Sequence, residues 1–476
     1  MFEERDAKAP RQEEFWVTRD RLPALAAGKF YRKLDETLEA IGFPEQVREI
    51  CRPAYQDASA GGRPGIDPVV YFKMLMIGFF ENLPSERAIA GRCEDSLSLR
   101  AFLGYDLTER TPDHSSLSVI RTRLGLEVYQ EALEIVLKGL HRHGLLKGRN
   151  LGMDSSIIEA NASLRELEHR NTEEDYWSYV KRLAEEAGID PNDTKAVRRF
   201  DKKCEGRKTS NEEWFNPHDP DAKVGRTKDG ACDMVYMPEH LTDLDSGAII
   251  RAEVRTGDCG DSEGLGARVM DGCRTLARVC EDPHQEKVGS TLTTDEGYFS
   301  VAEVCALQSE GIRTVMGDPH EARRRKDKQC KVTRQTLMRA RRAVKSKSGK
   351  ALLRRRGEHL ERSFAHVLDH GGMRRATLRG TENLSKRLTA AVLSYDLSLL
   401  MRKLFGFGTP KQWAAAARNR LFWLLWWLQE TFGRLDVART RFSARFGPNP
   451  QGSTVSAYCA RKLSQSGGMG FISTGC

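Results

Sequence analysis

The chain has 476 residues, enough for about three domains or one elaborated core at roughly 150 residues per domain, and its 76 Lys and Arg against 67 Asp and Glu give a formal charge of +9. The excess is local: residues 323–356 hold 16 basic residues and a single acid, Asp327, a charge of +15 that leaves −6 for the rest of the chain. This excludes a uniformly basic packaging protein and points to a near-neutral body with one polyanion-facing element.

Other classes fall away on local pattern. Residues 1–16 are charged throughout and lack the apolar stretch of an export signal. The most apolar run, 421–428 (LFWLLWWL), is much shorter than the roughly 20 residues of a spanning helix. The 11 cysteines contain no C-x-x-C pair, so neither a zinc ribbon nor a disulfide framework is expected. A cytoplasmic protein with no membrane partner is the expectation.

In chain order, the first 145 residues read as helical. Residues 67–81 (DPVVYFKMLMIGFFE) place Pro just inside the start and apolar residues on several faces, the pattern of a buried helix. Shorter helices are expected from 84 to 93, from 96 to 103 and over 111–124. In the last, Asp113 is a good N-cap, Leu117, Ile120 and Leu124 share a stripe, and Arg121 and Arg123 are expected to project away from it. Such a bundle suits DNA binding, although the same pattern describes any small helical domain.

From 148 the pattern changes. Leu151 and Met153 alternate with smaller residues up to Asp154, a short strand ending in a carboxylate. The charged stretch 160–230 reads as an insertion with one helix, over 173–187. Strands are expected over 233–243 and 248–255, joined by a hairpin turn at 244–247. A helix over 261–280, a strand over 288–294 leading to Asp295, a helix over 300–308 and a strand over 312–316 follow. The order β, β, β, α, β, α, β fits a ribonuclease-H-like mixed α/β sheet. A basic insertion (318–356), a helix from 357, helical sequence to 404 and again over 412–432, and a Gly- and Ser-rich tail from 447 complete the chain. The expected domains are a helical, DNA-binding N-terminal domain (1–145), a ribonuclease-H-like catalytic domain (146–405), and a helical C-terminal region with a disordered tail (406–476).

In a ribonuclease-H-like sheet the first and fourth strands are neighbours, so Asp154 and Asp295 are expected to meet. Two or three converging carboxylates suffice to hold a pair of divalent ions that clamp the attacking and leaving oxygens of a phosphodiester. The third is expected from a helix on the same sheet. Glu361 is the candidate, because Phe364, Ala365 and Leu368 follow it at helical spacing and would place it on the core-facing stripe. Glu358, one turn earlier, is the reserve.

These residues sit in motifs that resemble bacterial insertion-sequence transposases of the Asp-Asp-Glu (DDE) class. The stretch from GRPGIDPVVYFKMLMIGFFE to SSLSVIRTRL resembles the helical domain before the catalytic core of that family, LGMDSSIIEANAS its first-aspartate strand, TTDEGYFS its second-aspartate motif, and ERSFAHVLDHGGMRRATLRG its glutamate helix. The resemblance implies a ribonuclease-H-like catalytic core, with Asp154, Asp295 and Glu361 as catalytic ligands of two Mg2+ ions, Mn2+ being a possible substitute. It implies metal-dependent cleavage at the ends of an element and strand transfer into target DNA. Tyr298 would support the second motif, and Arg374, Arg375 and Arg379 would contact the DNA backbone. Many relatives carry Lys or Arg seven residues after the glutamate, where this chain has Leu368.

The expected partners are terminal inverted repeats and target DNA, with a homodimer at synapsis and association with the nucleoid. Phosphate contacts are expected from Arg121, Arg123, Arg334, Arg341, Arg342, Lys345 and Arg356 as well. The same carboxylates would serve a metal-dependent DNA nuclease that does not join strands, and a catalytically silent, transposase-derived DNA-binding protein is the rival from another class.

Overall fold

The computed structural model describes residues 26–55, 65–203, 210–227, 230–281, 289–321, 330–416 and 418. Among the described residues seven α-helices come first: α1 (Ala26–Ala40), α2 (Phe43–Cys51), α3 (Pro68–Phe80), α4 (Glu86–Asp95), α5 (Leu97–Leu103), α6 (His114–Arg123) and α7 (Leu126–Arg142). Four of them start where the sequence places a cap. The side chains of Asp67, Ser85, Ser96 and Asp113 each accept a backbone N–H of the first turn, a contact worth about 1 kcal/mol. α3 is apolar all round because it is enclosed; Tyr71 on it shares a 2.6 Å hydrogen bond with Tyr129 on α7.

The strands are β1 (Asn150–Ser155), β2 (Ile158–Glu159), β3 (Glu168–His169), β4 (Trp214–Phe215), β5 (Lys223–Arg226), β6 (Cys232–Asp243), β7 (Ile249–Thr256), β8 (Thr291–Thr293) and β9 (Arg313–Val315). The central order is β7-β6-β1-β8-β9. β7, β6 and β1 run antiparallel, and β1, β8 and β9 run parallel. Three antiparallel strands followed by two that join through helical crossovers, in the order 3-2-1-4-5, make this a ribonuclease-H-like sheet. The crossover helices are α10 (Leu265–Val279) and α11 (Val301–Ser309).

The stretch 160–230 returns to this sheet. β2 and β5 both pair with the first half of β6, strands too short to show periodicity in the sequence. Within the stretch, α8 (Tyr176–Glu186) is capped by Asp175, and α9 (Thr194–Lys203) is a second helix where the sequence predicts only one; Val197 is its buried anchor.

The basic run also differs from expectation. Its described part from Cys330 folds into α12 (Lys331–Lys345) and the first half of α13 (Lys347–Phe364), so the glutamate helix begins ten residues earlier than the sequence suggests. Ser346 caps α13 by accepting the N–H of Gly349. Thr336, Leu337, Ala340 and Ala343 give α12 its buried stripe, hidden in the sequence by the surrounding cations. Past Phe364 the helix widens into a π turn over Ala365–Asp369.

α14 (Thr381–Phe405) is buried along most of its length and packs between β7, α3 and α7. Gly139 on α7 allows this approach: a Cβ there would lie 2.9 Å from Ile41 and 3.6 Å from Leu400. One continuous core runs from α1 through the sheet to α14, so the helices before 145 do not close a core of their own. Among the described residues no helix is long and apolar enough to cross a membrane. The helix expected over 412–432 lies, beyond its first residues, outside the described residues, as does the tail from 447.

Candidate active site

Parallel pairing sets the site. Leu151 lies opposite Leu292 and Gly152 opposite Thr293, and this register, continued past the strand ends, brings Asp154 beside Asp295. Each aspartate ties one oxygen to the backbone. Asp154 Oδ1 accepts the N–H of Ser155 at 3.0 Å, and Asp295 Oδ1 accepts the N–H of Gly297 at 3.1 Å. The second oxygen of each is aimed at one guanidinium nitrogen: Arg356 Nη2 lies 2.8 Å from Asp154 Oδ2 and 3.6 Å from Asp295 Oδ2. Burial pushes the Asp154 carboxyl up to about 6 against the pull of Arg356, and the charge of Asp295 adds to the rise.

A buried layer beneath holds these groups in place. Tyr298 is fully buried, and its hydroxyl donates to Glu239 Oε1 at 2.8 Å, which fixes the turn that carries Asp295. Glu239 is 2% exposed and bonded to Arg268 at 2.6 Å; burial raises its carboxyl while Arg268 opposes the rise. Asp261, expected only as the start of a helix, belongs here instead. It accepts the hydroxyl of Ser155 at 2.9 Å, and a Cβ at Gly297 would sit 3.2 Å from Asp261 Oδ2 and 3.4 Å from Asp295 Oδ1. The signal in the sequence was a Gly-rich turn at 257–264 carrying acids, which spacing alone did not connect to the sheet.

α13 lies directly over β1. A Cβ at Gly152 would meet Leu360 at 3.2 Å and Leu244 at 2.5 Å, so only glycine permits this approach. The buried face of the helix runs through Leu352, Leu360, Ser363 and Phe364 to Val367 in the π turn. Arg356 is on the inner side and Glu361 is exposed. Glu361 is therefore not on the core-facing stripe, and the structure does not bring it to the two aspartates. The expectation extended an ideal helical spacing through Leu368, across a turn that is not α-helical. Glu358, the reserve, is also exposed and pairs with Arg362 at 2.8 Å. Leu368 is fully buried and offers nothing to DNA. Among the described residues no three His, Cys, Asp or Glu side chains form a metal-holding group.

Two family models match the chain. Residues 217–397 match the Transposase DDE domain, and residues 19–123 match a Transposase domain (DUF772). The chain belongs to the DDE transposases. One solved structure, a pre-cleavage Mos1 transpososome, is 11% identical with a TM-score of 0.19 and covers 66% of this chain and 82% of its own; the fold assignment rests on strand order instead. No curated protein matches the transposase. Asp295 and Glu361 lie inside the DDE match, whereas Asp154 lies between the two matched segments.

The transposase divides its expected DNA-binding residues into two groups. Four are half-buried as well as engaged internally. Arg121 is held by Glu86, Asn383 and Ser118 between α4, α6 and α14, rather than projecting away. Arg341 pairs with Asp318 at 3.2 Å and Glu321 at 3.7 Å. Arg356 is on the aspartates, and Arg374 reaches Asp369 and the hydroxyl of Ser156. Arg334, Arg342, Lys345, Arg375, Arg379 and Arg123 are exposed. Arg123 lies over the ring of Tyr55 and lines a groove of about 1050 Å³ in front of α6.

Proposed function

We propose that this transposase cleaves DNA at the ends of its element and joins the freed ends to target DNA, using divalent ions held by Asp154 and Asp295; Glu361, exposed in the structure, is proposed as third ligand on the family resemblance and not on its position. The observation that carries the reading is the convergence of two carboxylates, from adjacent parallel strands, on one cationic group. Those oxygens fit hard divalent ions: Mg2+ prefers oxygen donors, keeps several waters, and is often held by one or two carboxylates plus substrate phosphate. Bound there, two such ions supply activation of the attacking oxygen and charge stabilisation of the leaving one. The chain's own contribution is orientation. Backbone N–H groups aim the two aspartates, and the Tyr298–Glu239 contact fixes the turn that carries the second. Family membership supports binding to DNA and synapsis of two ends by more than one copy; terminal repeats and target as substrates, and a homodimer, are part of the proposal.

Pre-cleaved terminal DNA with Mg2+ tests the joining step. Joined product is the expected result. Hydrolysis alone would make the protein a nuclease, and no reaction at all, with DNA binding retained, would make it a silent DNA-binding relative.

DNA backbone contacts are proposed for the exposed basic residues of α12 and its surroundings. Reversing Arg334, Arg342 and Lys345 to Glu is expected to weaken DNA binding across sequences and to flatten the salt dependence by roughly 2–3 units of slope, since each lost phosphate contact removes about 0.9. Filter binding at several salt concentrations checks this, and an unchanged slope would remove α12 from the interface. Arg341 is left out because it is largely buried in its ion pairs with Asp318 and Glu321, whereas Lys345, 3.6 Å from Glu321, keeps most of its side chain in solvent.

A further inference from the structure

We propose that Arg356 is an internal cation that takes the place of the divalent ions in the DNA-free transposase, and that it must leave Asp154 and Asp295 for metal to load. The inference rests on the assignment of those two aspartates as metal ligands. Its own ground is geometric. Arg356 is 15% exposed in its side chain, and its Nη2 is within hydrogen-bond reach of Asp154 Oδ2 and 3.6 Å from Asp295 Oδ2. An ion bound at about 2.1 Å from those same oxygens would stand against a positive guanidinium, so the two occupants exclude one another. The arginine is also weakly fixed, since its Nε is buried without an acceptor among the described residues.

The chain offers a route out. Arg356 follows Lys347, Lys350, Arg354 and Arg355 on α13, and of these Lys347, Lys350, Arg354 and Arg355 are exposed. A DNA phosphate brought to this helix is a bidentate acceptor that suits guanidinium better than a shared carboxylate oxygen does. DNA binding would then draw Arg356 off the aspartates and open the site to metal, which confines loading to the complex with DNA.

Mn2+ binding to the full chain, read by the electron paramagnetic resonance signal of the free ion, tests this without relying on catalysis. Without DNA, Arg356→Ala and Arg356→Gln are expected to bind Mn2+ about tenfold more tightly than the wild type, a coupling of ordinary allosteric size, while Arg356→Lys, which keeps the charge, stays close to wild type. Terminal DNA is expected to tighten Mn2+ binding in the wild type and to do so much less in Arg356→Gln. Unchanged or weaker Mn2+ binding in both neutral variants, with Asp154→Ala still abolishing it, would overturn the latch and leave the ligand assignment standing. Equal Mn2+ binding in wild type, Asp154→Ala and Asp295→Ala would overturn the ligand assignment and the latch with it.

Discussion

Asp154→Asn and Asp295→Asn are each expected to lower the rate of metal-dependent cleavage of terminal DNA by about 10³-fold or more while leaving DNA affinity within a factor of two or so. The size follows from the role: a bound ion contributes several kcal/mol of transition-state stabilisation, and about 4 kcal/mol corresponds to three powers of ten. Asn keeps the side-chain oxygen that accepts the Ser155 or Gly297 N–H, so the local backbone has no reason to move and the change is one of charge. Stability gives the control. The folded-state carboxyl of Asp154 is raised to about 6, above its ordinary value, so its contribution to stability is present at low pH and is lost as pH rises from about 4 through 6. At pH 7.5 the ionised carboxylate therefore costs the fold, and Asp154→Asn is expected to melt no lower than wild type. Loss of cleavage at undiminished Tm would identify a group kept for chemistry. Retained cleavage in either variant would remove that residue from the site. Glu361→Ala is the separate test of the third ligand, because the structure does not seat Glu361 with the aspartates.

The sheet was legible because its runs alternate and are punctuated by turns, and because a ribonuclease-H-like order fixes which strands are neighbours. Asp154 and Asp295 met as expected for that reason: strand ends and register are local properties that propagate across a parallel pair. The face of α13 departs from the sequence pattern at one point. Two of the three residues that place Glu361 on the inner stripe, Ala365 and Leu368, lie beyond Phe364, where the π turn changes the angular step. The basic run misled differently. A string of Lys and Arg reads as one solvated surface, yet Arg341 and Arg356 turn inward to Asp318, Glu321, Asp154 and Asp295. Such partners are remote in sequence, and no spacing rule along a helix reveals them. Arg121, held by Glu86 and Asn383, shows the same limit in the N-terminal helices.

His240 gives the second large effect, and its sign follows from burial. It lies on β6 opposite Asp154, is fully buried, stacks on Phe364 with ring centroids 4.3 Å apart, and bonds through Nδ1 to the Ser363 hydroxyl at 3.0 Å. Because that hydroxyl donates to the Leu360 carbonyl at 2.9 Å, Nδ1 carries the proton and Nε2 is a lone pair with no partner among the described residues. Desolvation lowers the folded-state value to about 3 from an ordinary 6.5. Above pH 6.5 both folded and unfolded His240 are neutral. As pH falls the unfolded chain takes up the proton first, so stability is lost progressively from 6.5 down through about 3, at up to about 1.4 kcal/mol per pH unit. Raised carboxyls such as Asp396 and Asp243 act with the opposite sign, so the total slope does not isolate the histidine; a variant does. His240→Gln is expected to be less stable than wild type at pH 7.5, and between pH 7.5 and 5 that deficit should shrink by about 2 kcal/mol, because only the wild type pays for unfolded-state protonation. Urea melts at the two pH values measure it. A deficit independent of pH would mean that His240 accepts a proton inside the fold, contrary to its burial between the sheet and the helix that carries Arg356 and Glu361.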